Sequence, residues 1–306
     1  MQESFVDIKY NNSKIHIHYI EEKPNDSDRL MVLIHGFPQN SYVWSSYLTE
    51  FTQMGYHVVA PDLRGYNKSS KPKEKSAYEI KNIMNDVLEL IKHCGYDKAV
   101  IVGHDWGGSV VWELAEHYAD FVSAAIVLNS PHRGAYAANI RRNPLLNLRQ
   151  TFRSWYIYLF QLPFLPEFAM KCCDFKWLKH NFCSWARTKD AFSNEEIEVY
   201  KKALREPYAL TSAINYYRAN TFGDFGLGVI KASMGKKIFE KISVPSLLLW
   251  GKNDLPLDIE LTKNMEEFFS GIFKKVYFED TSHWILHERH KHVVEEIKTF
   301  LNDISK

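Results

Sequence analysis

The 306-residue sequence lacks an excess of charge of either sign, because its 38 lysines and arginines are matched by 37 aspartates and glutamates. Proteins that bind nucleic acid or anionic surfaces usually carry a clear basic excess. The composition of the whole chain therefore predicts neither nucleic acid nor an anionic membrane surface as a partner.

Long hydrophobic runs are also missing. The longest, such as residues 124–128 and 246–250, are much shorter than the roughly 20 apolar residues that a transmembrane helix needs. The opening stretch MQESFVDIKYNN has neither the basic nor the apolar region of a secretory signal peptide. We therefore expect no membrane segment and a cytoplasmic location.

Cysteine is scarce, and the four cysteines follow neither a metal-binding spacing nor a disulfide framework. His16 and His18 alternate with apolar residues along a predicted strand, an arrangement that two ligands of a metal can adopt. No cluster of acidic residues or cysteines completes such a site, which favours a solvated strand face. We predict neither a metal nor a cofactor.

Short runs rich in β-branched residues alternate with helical patterns. Four runs are typical of strands buried on both faces of a parallel sheet: LMVLIHG, YHVVAPD, KAVIVGH and AAIVLNS. Between the second and third, a helical pattern runs from a capping box at Ser76 and Glu79 to Gly95. Together with a starting hairpin that turns at Asn11–Asn12, these patterns predict an α/β fold with a mostly parallel central sheet.

The alternation stops after the fourth run. From Arg133 to Lys241 the sequence has several helical patterns, one with a capping box at Ser193 and Glu196, and no good strand. The strand–helix rhythm then resumes with VPSLLLWG and KKVYFED and ends in a helical pattern. We predict a core formed by residues 1–132 and 244–306, with an inserted helical cap at 133–243 over the strand ends.

The motif VGHDWGG places Asp105 in a sharp turn between a buried strand and a helix, where many hydrolases display a nucleophile. The alternative is that Asp105 only caps the helix. A carboxylate is ionised at neutral pH, so it needs no base before it attacks an sp3 carbon. The resulting ester of the protein must then be hydrolysed, which requires a base and donors for an oxyanion.

Candidates for these functions follow other strands. His283 in EDTSHWILHE is the candidate base, and Asp254 in LLLWGKNDLPLD is suited to orient its imidazole. The backbone N–H groups of Phe37 and Trp106 are the candidate oxyanion donors.

Four other residues of the same types lie near these candidates in the sequence. Asp258 is an alternative acid and His287 is an alternative base. His35 and His104 flank glycine turns and are better explained as structural residues.

The motifs HGFPQNSYVW, APDLRGYNKSSKP, VGHDWGG, LNSPHR and EDTSHW stand in an order that resembles the epoxide hydrolases of the α/β-hydrolase superfamily. The resemblance covers nearly the whole chain. It implies an α/β-hydrolase fold, attack of Asp105 on an epoxide carbon, and hydrolysis of the ester by water that His283 and Asp254 activate. It also implies two cap tyrosines that bind the epoxide oxygen, which match Tyr156 and Tyr217.

A phenol suits that function because it remains a neutral donor at pH 7 and its hydrogen bond strengthens as the alkoxide develops. Tyr158 and Tyr216 are neighbouring alternatives. The chain departs from the family pattern at Asn67, where glycine is frequent, and at Arg133, where proline is frequent. Because Asn tolerates the left-handed conformation, we expect the turn at Asn67 to persist.

The implied partners are water and an apolar alkyl or aryl epoxide, bound by Phe37, Trp106, Tyr156 and Tyr217. Dehalogenation with the same aspartate is an alternative, with Trp106 and a cap tryptophan (Trp155, Trp177 or Trp185) as halide donors. Phe37–Pro38 argues against it, because haloalkane dehalogenases commonly have a polar Asn there. A second alternative is a non-catalytic binding protein, which should have lost a member of the catalytic set.

Overall fold

A computed structural model describes residues 1–11, 13–235 and 239–305 of the protein. Eight strands form one sheet in the order β1-β2-β4-β3-β5-β6-β7-β8. Their bounds are β1 Gln2–Tyr10, β2 Ser13–Glu22, β3 Arg29–Ile34, β4 Tyr56–Pro61, β5 Ala99–His104, β6 Val122–Leu128, β7 Ser246–Gly251 and β8 Phe273–Phe278.

The sheet is mostly parallel, as the sequence predicts. Strands β3 to β8 pair in parallel, whereas β1 and β2 pair antiparallel and β2 joins β4 antiparallel. Strands β4, β5 and β7 are buried along their whole length, which explains their continuous apolar sequence. In the predicted hairpin turn, Asn11 has a positive φ of 52°, and Asn12 lies outside the described residues.

Twelve helices are described, and seven of them, α4 to α10, lie between β6 and β7. Their bounds are α1 Ser45–Thr52, α2 Ile80–His93, α3 Trp106–His117, α4 Arg133–Arg142, α5 Pro144–Arg153, α6 Trp155–Phe160, α7 Leu165–Trp185, α8 Asn194–Arg205, α9 Ala209–Asn220, α10 Asp224–Ser233, α11 Ile285–Glu288 and α12 His290–Ile304. Helix α7 is interrupted at residues 172–175.

The segment predicted to form the cap has no strand within its described residues, although part of it, residues 236–238, lies outside the description. None of the described helices has the length and apolarity needed to cross a membrane.

The predicted capping box at Ser76 is wrong. Helix α2 begins at Ile80 after a 3₁₀ turn, and the side chain of its N-cap residue, Glu79, makes no capping hydrogen bond. Instead, Asn220 at the end of α9 accepts a hydrogen bond of 2.9 Å from the Ile80 N–H. A residue far away in the chain thus caps this helix. The second predicted box is present in one half, because the Ser193 hydroxyl accepts from the Glu196 N–H, whereas the Glu196 carboxylate contacts His287.

Helix α9 is attached to the core by two more hydrogen bonds. The Tyr216 hydroxyl donates to the carbonyl of Arg64 at 2.9 Å, and the Tyr78 hydroxyl donates to Ser212 at 2.7 Å. One side of α9 packs into the hydrophobic core around the sheet, and another packs among the cap helices. Helix α9 therefore connects the hydrophobic core around the sheet to the helices inserted between β6 and β7.

The expectation of a solvated face for both strand histidines is right for His16 and wrong for His18. His16 is exposed and pairs with Asp7, whereas His18 is 1% exposed. The His18 Nδ1 lies 2.6 Å from Asp62, a residue that directly follows β4. The alternation of side chains along a strand could not reveal this loop, which covers the face of β2.

Candidate active site

Asp105 stands between β5 and α3 with φ 53° and ψ −118°, a backbone conformation that non-glycine residues rarely adopt. The start of α3 lies very close to the end of β3, since a Cβ on Gly107 would lie 2.2 Å from the Ile34 carbonyl oxygen. A Cβ on Gly36 would lie 2.4 Å from the Asp105 Cβ. The Asp105 carboxylate makes no capping hydrogen bond to α3. The turn therefore presents the carboxylate to the residues beyond the sheet edge.

Two groups from other loops face this carboxylate. The Phe37 N–H donates to Asp105 Oδ1 at 2.8 Å, and His283 Nε2 lies 3.5 Å from Asp105 Oδ2. Trp106 is the first residue of α3, where backbone N–H groups have no acceptor within the helix. The Phe37 N–H thus contacts the Asp105 carboxylate directly, and the Trp106 N–H belongs to the next residue at the start of the helix.

The imidazole of His283 is held from its other side by Asp254. The His283 Nδ1 donates to Asp254 Oδ2 at 2.7 Å, and both side chains are almost fully buried. Asp254 also accepts from the Leu257 N–H at 2.8 Å and from the Asn129 amide at 2.6 Å. The structure therefore brings Asp105, His283 and Asp254 together in one chain of contacts.

Asn129 is a residue whose role the sequence did not reveal. It follows β6 with a positive φ of 46°, and its amide oxygen accepts from the Gly251 N–H at 3.2 Å. Its amide nitrogen donates to the Asp254 oxygen that also accepts from His283. Only its place in LNSPHR, at the end of a buried strand, could have indicated it.

The alternative acid and the alternative base have partners outside the group formed by Asp105, His283 and Asp254. Asp258 is paired with Arg149 at 2.6 Å, and His287 lies 2.8 Å from Glu196. His104 Nε2 lies 2.8 Å from the carbonyl oxygen of His283, and burial lowers the pKa of His104 to about 3. His104 is thus neutral and positions the His283 backbone.

His35 likewise has a structural partner, because its Nε2 accepts from the Leu63 N–H at 3.0 Å.

Burial and the neighbouring charges shift the pKa values of His283 and Asp105 in opposite directions. Burial by itself lowers the pKa of His283, but the charge of Asp254 and the hydrogen bonds to Asp105 and Asp254 outweigh it and raise the pKa to about 10. Burial raises the pKa of Asp105, but the hydrogen bond and charge of His283 bring it below its usual value. At neutral pH the resting site is therefore an imidazolium between two carboxylates.

A cavity of about 420 Å³ lies above this group. Asp105 and His283 line it together with both predicted tyrosines, Tyr156 and Tyr217. Most of the remaining wall is apolar, including Phe37, Leu159, Phe160, Met170, Trp177, Trp185 and Trp284. Within the described residues, no group of three or more His, Cys, Asp and Glu side chains is arranged to hold a metal ion.

The two tyrosines belong to different helices, α6 and α9, and their ring centroids are 5.9 Å apart. The ring of Tyr217 also lies edge-on to Trp106 at 5.2 Å. Burial raises the pKa of both phenols well above the usual value, so they remain protonated donors. The alternatives face elsewhere: Tyr158 is 53% exposed, and Tyr216 donates to the Arg64 carbonyl.

The two departures from the family pattern are accommodated. Asn67 has φ 41°, as expected for a residue that replaces glycine, and its amide donates to Asp62 at 2.8 Å. Arg133 begins α4, forms a salt bridge of 2.5 Å with the buried Glu113, and lies over the ring of Phe225. Arg133 thus connects α4, the first helix inserted between β6 and β7, to α3.

Comparison with known proteins gives a consistent result. The sequence profile of the alpha/beta hydrolase fold matches residues 29–290. Epoxide hydrolase 3 of Xenopus tropicalis is 34% identical over 97% of this chain and 77% of its own length, and epoxide hydrolase 4 of Homo sapiens is 34% identical over 97% and 78%.

Among solved structures, an inhibitor complex of Bacillus megaterium epoxide hydrolase superposes with a TM-score of 0.84, at 27% identity, over 97% of this chain and 100% of the other. The identity to the two curated relatives extends over nearly the full chain. The chain therefore belongs to the epoxide hydrolases of the α/β-hydrolase superfamily.

Proposed function

We propose that the protein hydrolyses apolar alkyl or aryl epoxides to vicinal diols through a covalent ester on Asp105. The observation that carries this proposal is the lining of one cavity, where the Asp105 carboxylate and His283 share the space with two protonated phenols. The relatives named as epoxide hydrolases support the substrate class. The apolar wall supports a substrate without charge near the ring.

In the first step, a carboxylate oxygen of Asp105 attacks a ring carbon and the carbon–oxygen bond of the epoxide breaks. The electron pair passes to the epoxide oxygen, which accepts hydrogen bonds from Tyr156 and Tyr217. Because the pKa of each phenol lies well above the usual value, a phenolate is unstable, and a proton relayed from His283 completes the new hydroxyl. This step leaves an ester and a neutral imidazole.

In the second step, the neutral His283 removes a proton from water, and the hydroxide attacks the ester carbon of Asp105. The N–H groups of Phe37 and Trp106 stabilise the oxyanion. Collapse of this intermediate releases the second diol oxygen, which takes the proton of the Asp105 carboxyl group. The cycle ends with the carboxylate and the imidazolium with which it began.

The domain division belongs to the same proposal. Residues 133–243 act as a cap on a core of residues 1–132 and 244–306, because Tyr156 and Tyr217 from the cap helices meet Asp105 and His283 from the core loops in one cavity. The aromatic cap side chains restrict water around the epoxide, which strengthens the hydrogen bonds to its oxygen.

Dehalogenation is a second candidate, favoured by one observation. The indole N–H of Trp177 is buried, lines the cavity and has no hydrogen-bond partner in the described part of the chain. A halide leaving group needs such donors. The phenols facing Asp105 instead suit an oxygen that remains attached to the substrate.

Product analysis with purified protein tests the two candidates. We expect vicinal diols from a panel of apolar alkyl and aryl epoxides, and no halide release from haloalkanes and haloacids of similar size. Halide release without diol formation would replace the proposal with the second candidate. Tight binding of epoxides without turnover would indicate a non-catalytic binding protein.

Removal of the phenol hydroxyls should slow the first step. We expect Tyr156→Phe and Tyr217→Phe each to lower the rate of ester formation by roughly 10- to 100-fold, because each loses a hydrogen bond that strengthens in the transition state. Rapid-quench measurement of the covalent enzyme gives this rate. Tyr158→Phe is the matched control, since the exposed Tyr158 should have no effect.

Asn129 should act on the second step by positioning Asp254. We expect Asn129→Ala to slow hydrolysis of the ester by roughly 10-fold or more, because a displaced carboxylate misaligns the imidazole. The rate of ester formation should change much less, so the ester should accumulate in the steady state. Equal slowing of both steps would contradict a role specific to the Asp254–His283 pair.

A further inference from the structure

The cap carries an unusual concentration of exposed hydrophobic side chains. Of the twenty large hydrophobic residues that are exposed in the described chain, nine lie between residues 145 and 168, on α5, α6, the loop after α6 and the beginning of α7. Leu145 is 78% exposed, Phe152 is 70% exposed and Phe164 is 84% exposed. We call residues 145–168 the apolar cap surface. A concentration of exposed apolar side chains of this kind marks an interaction site in a folded protein.

The apolar cap surface surrounds the entrance to the active-site cavity. Leu145, Leu148 and Phe152 have helical spacing and therefore share one face of α5. Phe152 and Trp155 are exposed and also line the cavity, as does Leu255 on the loop after β7. The cavity thus opens among side chains that avoid water.

The charge balance of the whole chain does not extend to this segment. Between Asp120 and Glu167 the sequence has no acidic residue, and it has five arginines. Arg141, Arg142 and Arg149 are exposed next to or on α5. Arg142 pairs with the exposed Glu267, but Arg149 and Arg153 share the single acid Asp258, and Arg141 forms no salt bridge within the described residues. The arginines beside the apolar cap surface therefore outnumber the acids that pair with them.

We propose that the apolar cap surface docks on an anionic lipid bilayer, with the leucines of α5 inserted and the arginines among the headgroups. Apolar and aromatic side chains bordered by arginines are the composition of surfaces that lie in the membrane interface. Trp155 and Tyr158 supply the aromatic rings that favour the headgroup level. A second copy of the chain is a poorer occupant, because two such faces would bring positive charges together.

Docking in this orientation turns the cavity entrance toward the lipid. Apolar epoxides partition into membranes, so substrate would pass from the bilayer to Asp105 without crossing water. This consequence rests on the proposed function, whereas docking itself does not, and vesicle binding therefore tests docking independently of turnover.

Sedimentation with vesicles measures the docking. We expect the protein to bind vesicles of phosphatidylcholine mixed with phosphatidylserine and to bind vesicles of phosphatidylcholine alone more weakly. Added salt should progressively weaken binding to the mixed vesicles, because it screens the attraction between the arginines and the anionic headgroups. The double variant Leu145→Glu/Leu148→Glu should bind the mixed vesicles with an affinity lower by about tenfold or more. The variant Arg141→Gln/Arg142→Gln should lose the preference for phosphatidylserine.

Ile272→Glu is the matched control, because Ile272 is 58% exposed at the opposite end of the sheet. It should bind vesicles as the unmodified protein does, and thermal unfolding should show that every variant is folded. Absence of vesicle binding by the unmodified protein overturns the proposal. A concentration-dependent dimer that Leu145→Glu/Leu148→Glu disrupts, without vesicle binding, overturns it in favour of a second copy.

Discussion

Replacement of Asp105 by alanine is expected to reduce kcat for epoxide hydrolysis by roughly 10⁴-fold or more, because the variant lacks the carboxylate on which the proposed ester forms. Intact-protein mass spectrometry should detect no substrate adduct at any time. The variant should still fold and bind epoxides, since the cavity wall is otherwise unchanged and a buried charge has been removed. An Asp105→Ala protein with substantial activity would contradict the assignment.

Isotope labelling of the native enzyme examines the same step. In a single turnover in heavy-oxygen water, the label should enter the carboxylate of Asp105, and the first diol should carry an ordinary oxygen taken from that carboxylate. Later turnovers should release labelled diol. Label that enters the first diol and never enters the protein would mean that water attacks the epoxide directly.

Replacement of His283 by glutamine is expected to separate the two steps. Asp105 remains in place, so the ester can still form, although more slowly because the proton of His283 is missing. No base activates water in this variant, and hydrolysis should slow further, by roughly 10⁴-fold. The enzyme should therefore gain the mass of one substrate molecule, and peptide mapping should place that mass on Asp105. The double variant with Asp105→Ala should gain none.

His287→Gln is the matched control for this experiment. His287 lies four residues further along but contacts Glu196 instead of Asp105 or Asp254. Its variant should turn over without accumulating ester. Accumulation of the ester in His287→Gln and not in His283→Gln would assign the function of the base to His287 instead of His283.

The pH dependence of the two steps should differ. The free enzyme keeps the His283 proton until pH about 10, so the rate of ester formation should be level up to that pH and fall above it. Ester formation removes the negative charge of Asp105, one cause of the raised pKa, so the pKa of His283 is lower in the ester. Hydrolysis should therefore accelerate with pH through that lower value. Single-turnover kinetics at a series of pH values separate the two profiles.

Much of the architecture was predictable because its signals are local. The strand ending at His104, the turn at Asp105 and the glycines after it are contiguous in sequence, and a buried parallel strand has a distinctive composition. Parallel strands also place their following loops at one edge of the sheet. This rule predicted that Asp254 and His283 belong beside Asp105.

The features that were missed depend on contacts between distant residues. The capping of α2 by Asn220 and the burial of His18 under Asp62 join segments that no local pattern relates. The partnership of Asn129 with Asp254 likewise requires two strands to be adjacent and one side chain to turn back. The exposed apolar side of the cap was hidden because the same aromatic residues suit a buried wall.

The attachment of α9 to the core has a consequence for substrate entry. Asn220, Tyr216 and Ser212 attach this helix to the turn before α2 and to Arg64, so Tyr217 stands on a helix that is anchored to the core. Helices α5 and α6 form the entrance instead, and Tyr156 belongs to them. The two phenols therefore differ in support, since one stands on a helix anchored to the core and the other on a helix that borders the entrance.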